Sequence, residues 1–317
     1  MRPRPWLRRL LALWIVSLVA SCSGERAGNG RRGSGPRGGS WLVAAPEGPA
    51  AIASPPEAAP VPPVPLESCG DTGAGFDGWL ESFRRHAVTE GISTRAVELG
   101  LGGVAYDPGV LELDRAQAGP KPSFERYAAQ RVTRARVSKG RQLMQANAPL
   151  LATIEERFGV PPEILVAIWG IETDFGENIG STPALRALAT LAYDCRRADR
   201  FRRELLSALR IVDRGDLSPA DLVGAWAGEI GQTQFLPSSY ERFAVDFDGD
   251  GRADVIGSSA DALASTASYL HGHGWQPQMD YRPGGPNFAV LGEWNASDLY
   301  RRAIALFATK LAGRARR

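Results

Sequence analysis

The stretch at residues 164–176 is apolar until it reaches an acidic side chain, Glu172, near its end. Pro161 and Pro162 favour a helix start before the stretch, and Gly176 favours a helix stop after it. Because the stretch is apolar on every side, the helix should be buried. Burial and the helix dipole both raise the pKa of a carboxylic acid at a helix C-terminus. From this stretch alone, a general acid and a buried glutamate paired with an arginine are about equally well supported.

The elements that must position this acid are mainly helical, so the predicted fold class is mainly α (α+β) with a small β component. Apolar residues at helical spacing and capping residues at several ends indicate the helices. The predicted helices cover residues 76–83, 93–99, 124–158 with one break at 138–140, 184–193, 199–213, 218–227, 261–271 and 297–311. The best candidate for a strand is the segment 287–291.

A second group of acids, Asp246, Asp248 and Asp250, has the spacing that opens an EF-hand calcium loop, with a glycine at position 6. Position 12 of the loop is Gly257 instead of the bidentate glutamate, so an ordinary EF-hand is excluded. The alternative is a turn that binds no metal.

Composition excludes several function classes. The chain has 37 basic and 35 acidic residues, which gives no support for a nucleic-acid partner. No Gly-x-Ser-x-Gly motif and no phosphate-binding glycine loop occur, and the three histidines lack metal-ligand spacing with any cysteine. A hydrophobic content of 44% is typical of a protein with a real core.

The N-terminal segment predicts export and lipid attachment. Residues 1–21 combine arginines with a short apolar run, as in a signal peptide. Together with Cys22, which follows directly, the end of this segment resembles a bacterial lipobox. An ordinary signal peptide with a chance cysteine is the alternative. Residues 22–66 then predict a disordered tether rich in Gly, Pro, Ala and Ser, and residues 67–317 a folded catalytic domain. Ser23, in place of an aspartate, favours the outer membrane.

Two further cysteines, Cys69 and Cys195, remain in the exported part of the chain. In an oxidising compartment such a pair is expected to form a disulfide. Little chain follows Leu311, so we expect no appended C-terminal module.

Several motifs follow one another along the chain. They are Phe-Gly-Val-Pro-Pro-Glu at 158–163, Gly-Ile-Glu-Thr-Asp-Phe-Gly at 170–176, Leu-Ala-Thr-Leu-Ala-Tyr at 188–193, the glycine-rich segment 224–240, Ala-Val-Asp-Phe-Asp-Gly-Asp-Gly at 244–251 and Tyr-Leu-His-Gly-His-Gly-Trp at 269–275. Together, and in this order, they resemble the membrane-bound lytic murein transglycosylase B family, which cleaves bacterial peptidoglycan. The resemblance implies a lysozyme-like helical core with an added helical region, and Glu172 as the one catalytic acid.

A single acid is sufficient for an intramolecular reaction. Asp174 is about 200° away from Glu172 around a helix, and Glu229 could approach it only through tertiary folding. The resemblance implies that Glu172 protonates the glycosidic oxygen and then deprotonates the 6-hydroxyl of muramic acid, which closes a 1,6-anhydro ring without a cofactor. The alternatives are a water-using muramidase and a non-catalytic glycan-binding lipoprotein of the envelope.

The resemblance also assigns a set of substrate-binding residues. These are Tyr127, Gln130, Arg196, Arg197, Gln234, Phe235, Tyr269, Trp294 and Asn295, with Trp294 standing where the family has a tyrosine. For the aromatic residues the alternative is a place in the core, and for the arginines a solvated surface. Two departures are Ala225, where some members have a serine that orients the acid, and Arg200, where an aromatic residue can occur.

For the acidic loop, the family uses a longer segment closed by a later acid, so the implied calcium ligands are Asp246, Asp248, Asp250, Arg252 and Asp261. Calcium would be structural only. The implied partners are peptidoglycan glycan strands and, through lipidated Cys22, the membrane. We expect a monomer in the bacterial periplasm, attached to the inner leaflet of the outer membrane.

Overall fold

The computed structural model describes residues 69–117 and 119–313. The predicted signal peptide, Cys22 and the tether lie outside the described residues. The helices of the described part are α1 Phe76–Thr89, α2 Thr94–Leu101, α3 Pro108–Ala116, α4 Phe124–Arg131, α5 Arg134–Ala146, α6 Ala148–Phe158, α7 Pro162–Thr173, α8 Ala184–Tyr193, α9 Ala198–Arg214, α10 Pro237–Phe243, α11 Ser259–Gly272, α12 Pro286–Trp294 and α13 Asp298–Ala312.

The β component of the described residues is one short antiparallel pair. Strand β1, Thr182–Pro183, pairs with β2, Val223–Gly224, so that Thr182 faces Gly224. The predicted class, mainly α with a small β component, is therefore confirmed. No helix among the described residues is both long and apolar enough to cross a membrane.

The buried side chains form two hydrophobic cores. The first core comes mostly from α1, α2, α3, α8, α9 and α10, and the second mostly from α4, α6, α7, α11, α12 and α13. Tyr269 of α11 and Trp294 of α12 pack against both cores. These two aromatic residues therefore mark the boundary between the two cores.

Helix α7 is the centre of the second core. Every residue from Glu163 to Thr173 is buried, and α7 packs against α5, α6, α11 and α13. Pro161 and Pro162 do begin this helix, as their fixed backbone angles favour. Ile164, Leu165 and Ile168 are fully buried, and each such side chain stabilises the fold by about 1.5–3 kcal/mol.

Three predictions of local structure were wrong. Residues 287–291 form part of helix α12 and not a strand, because Pro286 starts a helix and Asn287 is buried with its amide bonded to the carbonyls of Gln276 and Met279. The apolar residues Val290 and Leu291 of helix α12 are part of the second core.

Residues 218–227 form a turn and strand β2 instead of a helix. The predicted capping contacts between Ser218 and Asp221 are present, with Ser218 Oγ donating to Asp221 Oδ2 at 2.7 Å. They close a single turn, after which Val223 and Gly224 pair with β1.

The break expected at residues 138–140 is absent, since α5 passes through them. The chain breaks instead at Val132–Thr133 and at Asn147, where side chains of Thr133 and Asn147 bond to the backbone. Gly140 serves close packing, because a Cβ there would lie 2.9 Å from Leu311 and 3.2 Å from Phe175.

Candidate active site

Glu172 occupies the last turn of α7 and is only 4% exposed. Its Oε1 accepts hydrogen bonds from Tyr300 Oη at 2.5 Å and from Trp294 Nε1 at 3.2 Å. Its Oε2 has no hydrogen-bond partner among the described residues. One oxygen is thus fixed by the protein, and the other is the atom available to a ligand.

The surroundings of Glu172 raise its pKa to about 7. Burial is the largest cause, and the nearby carboxyl of Glu229 acts in the same direction. The hydrogen bonds from Tyr300 and Trp294 and the charge of Arg131 oppose the rise in pKa because they favour the ionised form. Near neutral pH the side chain therefore populates both protonation states, as a group acting in turn as acid and base requires.

The backbone just after Glu172 is strained. Asp174 and Phe175 have φ angles of 55° and 65°, which residues with a side chain seldom adopt. Asp174 accepts from Arg136 Nε at 3.1 Å, and its carbonyl accepts from Lys139 Nζ at 3.1 Å. Contacts from α5 therefore hold the end of α7, and the Asp174 carboxylate is paired with Arg136.

A polar network ties α7 to the glycine-rich segment 224–235. Trp169 Nε1 donates to Gln232 Oε1 at 3.0 Å, and Thr173 Oγ1 donates to the Gln232 carbonyl at 2.5 Å. Gln232 Nε2 in turn donates to the Ile256 carbonyl at 3.0 Å. Because these groups are buried and paired, the segment has a fixed position relative to Glu172.

Glu172 opens into a cavity of about 460 Å³, here called the central cavity, a size that accommodates sugar rings. Five of the predicted binding residues line it together with Glu172. Among the residues that line the central cavity are Glu172, Arg200, Glu204, Glu229, Gln234, Phe235, Tyr269, Trp294 and Asn295.

Three aromatic rings form one wall of the central cavity. Phe235 and Trp294 meet edge to face with centroids 5.2 Å apart, and Tyr269 meets Trp294 edge to face at 5.0 Å. Tyr269 also donates to the Glu293 carbonyl at 2.6 Å and stacks on His273 at 4.1 Å. These contacts hold the rings in place. The sequence left a place in the core and a place at the binding surface as alternatives, and these three residues both pack against the cores and line the cavity.

Two amide side chains are also held in place at the cavity. Gln234 has a φ of 60° and donates from Nε2 to the carbonyls of Gly231, at 2.8 Å, and Ile179, at 3.0 Å. Asn295 is 1% exposed, and its Oδ1 accepts from Ser297 N at 3.0 Å. These bonds leave Gln234 Oε1 and Asn295 Nδ2 as the groups that can contact a ligand.

The other four predicted binding residues do not line the central cavity. Tyr127 is buried close enough to Glu172 for the acid's charge to help raise the tyrosine pKa, although burial is the larger cause. Gln130 is exposed on α4. Arg196 and Arg197 both bond to the buried carboxylate of Asp114, from α3, so this pair is not simply a solvated surface.

Sequence reasoning missed Tyr300, which makes the shorter contact with Glu172. Tyr300 lies 128 residues from Glu172 along the chain, and no local pattern distinguishes it from a core tyrosine of α13. With Trp294, it supplies the orienting hydrogen bond that Ala225 cannot provide. Sequence reasoning also gave Glu229 no role, although Glu229 lines the same cavity.

The acidic loop brings three of its predicted ligands together. One oxygen from each of Asp246, Asp248 and Asp261 lies within 4.8 Å of the others. Asp261 is buried and accepts from the backbone N–H groups of Phe247 and Asp254 at 2.8 Å each. Asp250 and Arg252 stand outside this group of three. Three convergent carboxylates fit a hard cation such as Ca²⁺.

The structure joins Cys69 and Cys195 in a disulfide, with their Cα atoms 4.9 Å apart. The bond fastens the start of the described chain to the residue before Arg196. It therefore lies beside the arginines that hold Asp114.

A helical fold with a buried, proton-binding glutamic acid in an aromatic cavity defines the lysozyme-like class. The profile of one family, described as transglycosylase SLT domain, matches residues 75–284. The chain belongs to this family.

The relatives agree with this assignment. Membrane-bound lytic murein transglycosylase B of Escherichia coli strain K12 is 39% identical over 159 residues, which are 50% of this chain and 44% of that protein. The match thus spans less than half the length of that relative.

Two groups of solved structures share the fold. SltB3 from Pseudomonas aeruginosa in complex with NAG-NAM-pentapeptide matches with a TM-score of 0.72 and 30% identity, over 77% of this chain and 81% of that one. The Escherichia coli lytic transglycosylase SLT35 in complex with calcium matches with a TM-score of 0.66 and 27% identity, over 78% of this chain and 96% of that one.

Proposed function

We propose that this protein is a lytic transglycosylase that cleaves the β-1,4 bond between MurNAc and GlcNAc in peptidoglycan. The observation that carries the proposal is Glu172, buried in the central cavity, with one oriented oxygen, one available oxygen and a pKa raised to about 7. This is the arrangement that a general acid needs near neutral pH.

The reaction has two proton transfers by the same side chain. Protonated Glu172 gives its proton to the glycosidic oxygen as the bond to the anomeric carbon breaks. The resulting carboxylate then takes the proton of the muramoyl 6-hydroxyl, whose oxygen bonds to the anomeric carbon and closes the 1,6-anhydro ring. Because nucleophile and electrophile belong to one sugar, proximity replaces a second catalytic carboxylate.

The central cavity supplies the sugar contacts. Phe235, Tyr269 and Trp294 provide apolar ring surface, while Gln234 and Asn295 provide a fixed acceptor and a fixed donor. We propose that Gln130, Arg196 and Arg197 contact the glycan or its peptide beyond the cavity. Their side chains support this because Gln130 is exposed and the two arginines remain 43% and 29% exposed while bonded to Asp114.

A calcium ion bound by the loop of Asp246, Asp248 and Asp261 would stabilise the fold and take no part in the chemistry. We keep Asp250 and the Arg252 carbonyl as proposed further ligands. Extracellular calcium sites of this kind bind with dissociation constants of about 0.1–1 mM. Calcium should raise the melting temperature of the wild type but not of the Asp248→Asn variant, with Asp280→Asn as the control. An unchanged melting temperature of the wild type would count against the site.

The proposed location is the periplasmic face of the outer membrane, with the protein a monomer attached through lipidated Cys22. The charged and apolar segments before Cys22, and Ser23 after it, support this location. Labelled palmitate should enter the wild type and not the Cys22→Ala variant.

Release of soluble muropeptides from purified sacculi tests the proposed activity. The wild type should release them and Glu172→Gln should bind sacculi without release. Binding without release by the wild type would instead identify a non-catalytic glycan-binding protein.

A further inference from the structure

The central cavity contains a second buried carboxyl, that of Glu229. Glu229 lines the same cavity as Glu172 and is only 8% exposed. Its Oε2 has no hydrogen-bond partner among the described residues. A buried carboxyl oxygen without a partner is costly, so its position in a ligand cavity indicates a function.

The backbone fixes Glu229 at this position. Its carbonyl accepts from Ala225 N at 3.0 Å, and the next residue, Ile230, exchanges two 2.8 Å hydrogen bonds with Phe235. A Cβ at residue 224 would lie 1.8 Å from the Glu229 carbonyl oxygen, so only glycine permits this close approach. The backbone that carries the carboxyl is therefore fixed beside the central cavity.

The two carboxyls have different surroundings. Burial raises the pKa of Glu229, but its own backbone N–H, Arg200, the Ala227 N–H and Arg197 all favour its ionised form. Glu172 instead meets the neutral donors Tyr300 and Trp294, the charge of Arg131, and the opposing charge of Glu229 itself. When like carboxyls share a site, the one beside cations is the better base and the other the better acid.

We propose that Glu229 activates water in the central cavity, which gives this protein a hydrolytic reaction alongside transglycosylation. This inference rests on the proposed function. Glu229 takes a proton from water while the water oxygen bonds to the anomeric carbon of the muramoyl residue. The glycosidic bond breaks, and its electron pair remains on the leaving oxygen, which takes the proton of Glu172. Each event consumes one water and leaves a reducing muramic acid end.

The two reactions are separated by the ends that they produce. Sacculi reduced with borohydride beforehand contain no reducing ends, so every reducing end found later is new. After digestion by the full-length protein in detergent, mass spectrometry counts reducing ends and 1,6-anhydro ends, which differ by one water. The wild type should produce both kinds.

The near-isosteric variant Glu229→Gln should lower the ratio of reducing to anhydro ends by roughly tenfold or more. The substitution removes the base that activates water and leaves Glu172, which acts in the transglycosylation, unchanged. Glu229→Ala should do the same, with melting curves to verify folding. The control is Glu204→Gln, a buried carboxyl of the same cavity whose two oxygens already accept from Ser238; it should keep the wild-type ratio.

Two results would overturn the proposal and leave the proposed function intact: anhydro ends alone from the wild type, or an unchanged ratio in both Glu229 variants. Release of neither kind of end would refute the proposed function together with this inference.

Discussion

At the residue scale, burial raises the pKa of Glu172 more than its hydrogen bonds from Tyr300 and Trp294 lower it. Its pKa of about 7 lies above the ordinary value of 4.5, so the folded state binds this proton more tightly than the unfolded state does. The stability linked to Glu172 is fully present below about pH 4.5 and is lost as pH rises through about 7. The catalytic role proposed for Glu172 thus has a cost in stability.

A first prediction follows for Glu172→Gln. At pH 8 this variant should be more stable than the wild type by up to about 3 kcal/mol, because no buried charge forms and the amide oxygen can still accept from Tyr300. At pH 4 the two proteins should unfold alike. Urea unfolding at both pH values measures the difference, and equal stability at pH 8 would mean that Glu172 has an ordinary pKa.

A second prediction concerns Tyr300→Phe. Losing the hydroxyl removes a hydrogen bond that favours the ionised form, so the pKa of Glu172 should rise further. The decline of activity on the alkaline side should move to higher pH, and kcat/KM should fall roughly ten- to a hundredfold because the acid loses its orientation. Tyr106→Phe, at a partly buried tyrosine that packs against the first core, is the control. A lower activity with an unmoved pH profile would show that Tyr300 is only structural.

At the element scale, the end of α7 depends on close packing as well as on strain. A Cβ at Gly170 would lie 2.8 Å from the Phe175 ring and 2.9 Å from Phe307. Gly170→Ala should therefore destabilise the protein by about 1–3 kcal/mol and lower activity, since Phe175 and the strained turn must move. Gly78→Ala in α1, where a Cβ meets nothing within 4 Å, should instead stabilise by about 0.5–1 kcal/mol. Denaturation of both variants tests this contrast, and equal effects would contradict it.

The sequence indicated most helices correctly because their apolar spacing reports which face is buried. It failed where local signals were shared by two structures. Ser218 and Asp221 make the same side-chain contacts in a closed turn as at a helix start. Residues 287–291 belong to a helix, although their apolar residues look alternating in isolation. In both cases tertiary pairing decided the outcome, and that pairing has no short-range signature.

At the scale of the whole molecule, the site exists because distant segments converge. Glu172 was identified from its own helix, but Trp294 and Tyr300 reach it from 122 and 128 residues away. The family resemblance supplied five cavity residues, while Tyr300 and the position of Glu229 in the cavity emerged only from the folded arrangement. The roles of Tyr300 and Glu229 depend on the side chains that fold against them, and sequence spacing does not encode these neighbours.

The disulfide between Cys69 and Cys195 spans 126 residues and encloses the first half of the fold. Reduction should lower the free energy of unfolding by about 4–5 kcal/mol in the chain-entropy account of a loop this long. A double variant, Cys69→Ser with Cys195→Ser, should not respond to the reductant. Two free thiols in the unreduced protein, detected by mass analysis, would contradict the bond.

The most direct test of the central claim is mass spectrometry of the ends released from sacculi by the wild type and by Glu172→Gln. We predict that the wild type releases muropeptides ending in 1,6-anhydromuramic acid and that Glu172→Gln, folded and bound to sacculi, releases none. Reducing ends alone from the wild type, or anhydro ends still released by the variant, would contradict the role assigned to Glu172.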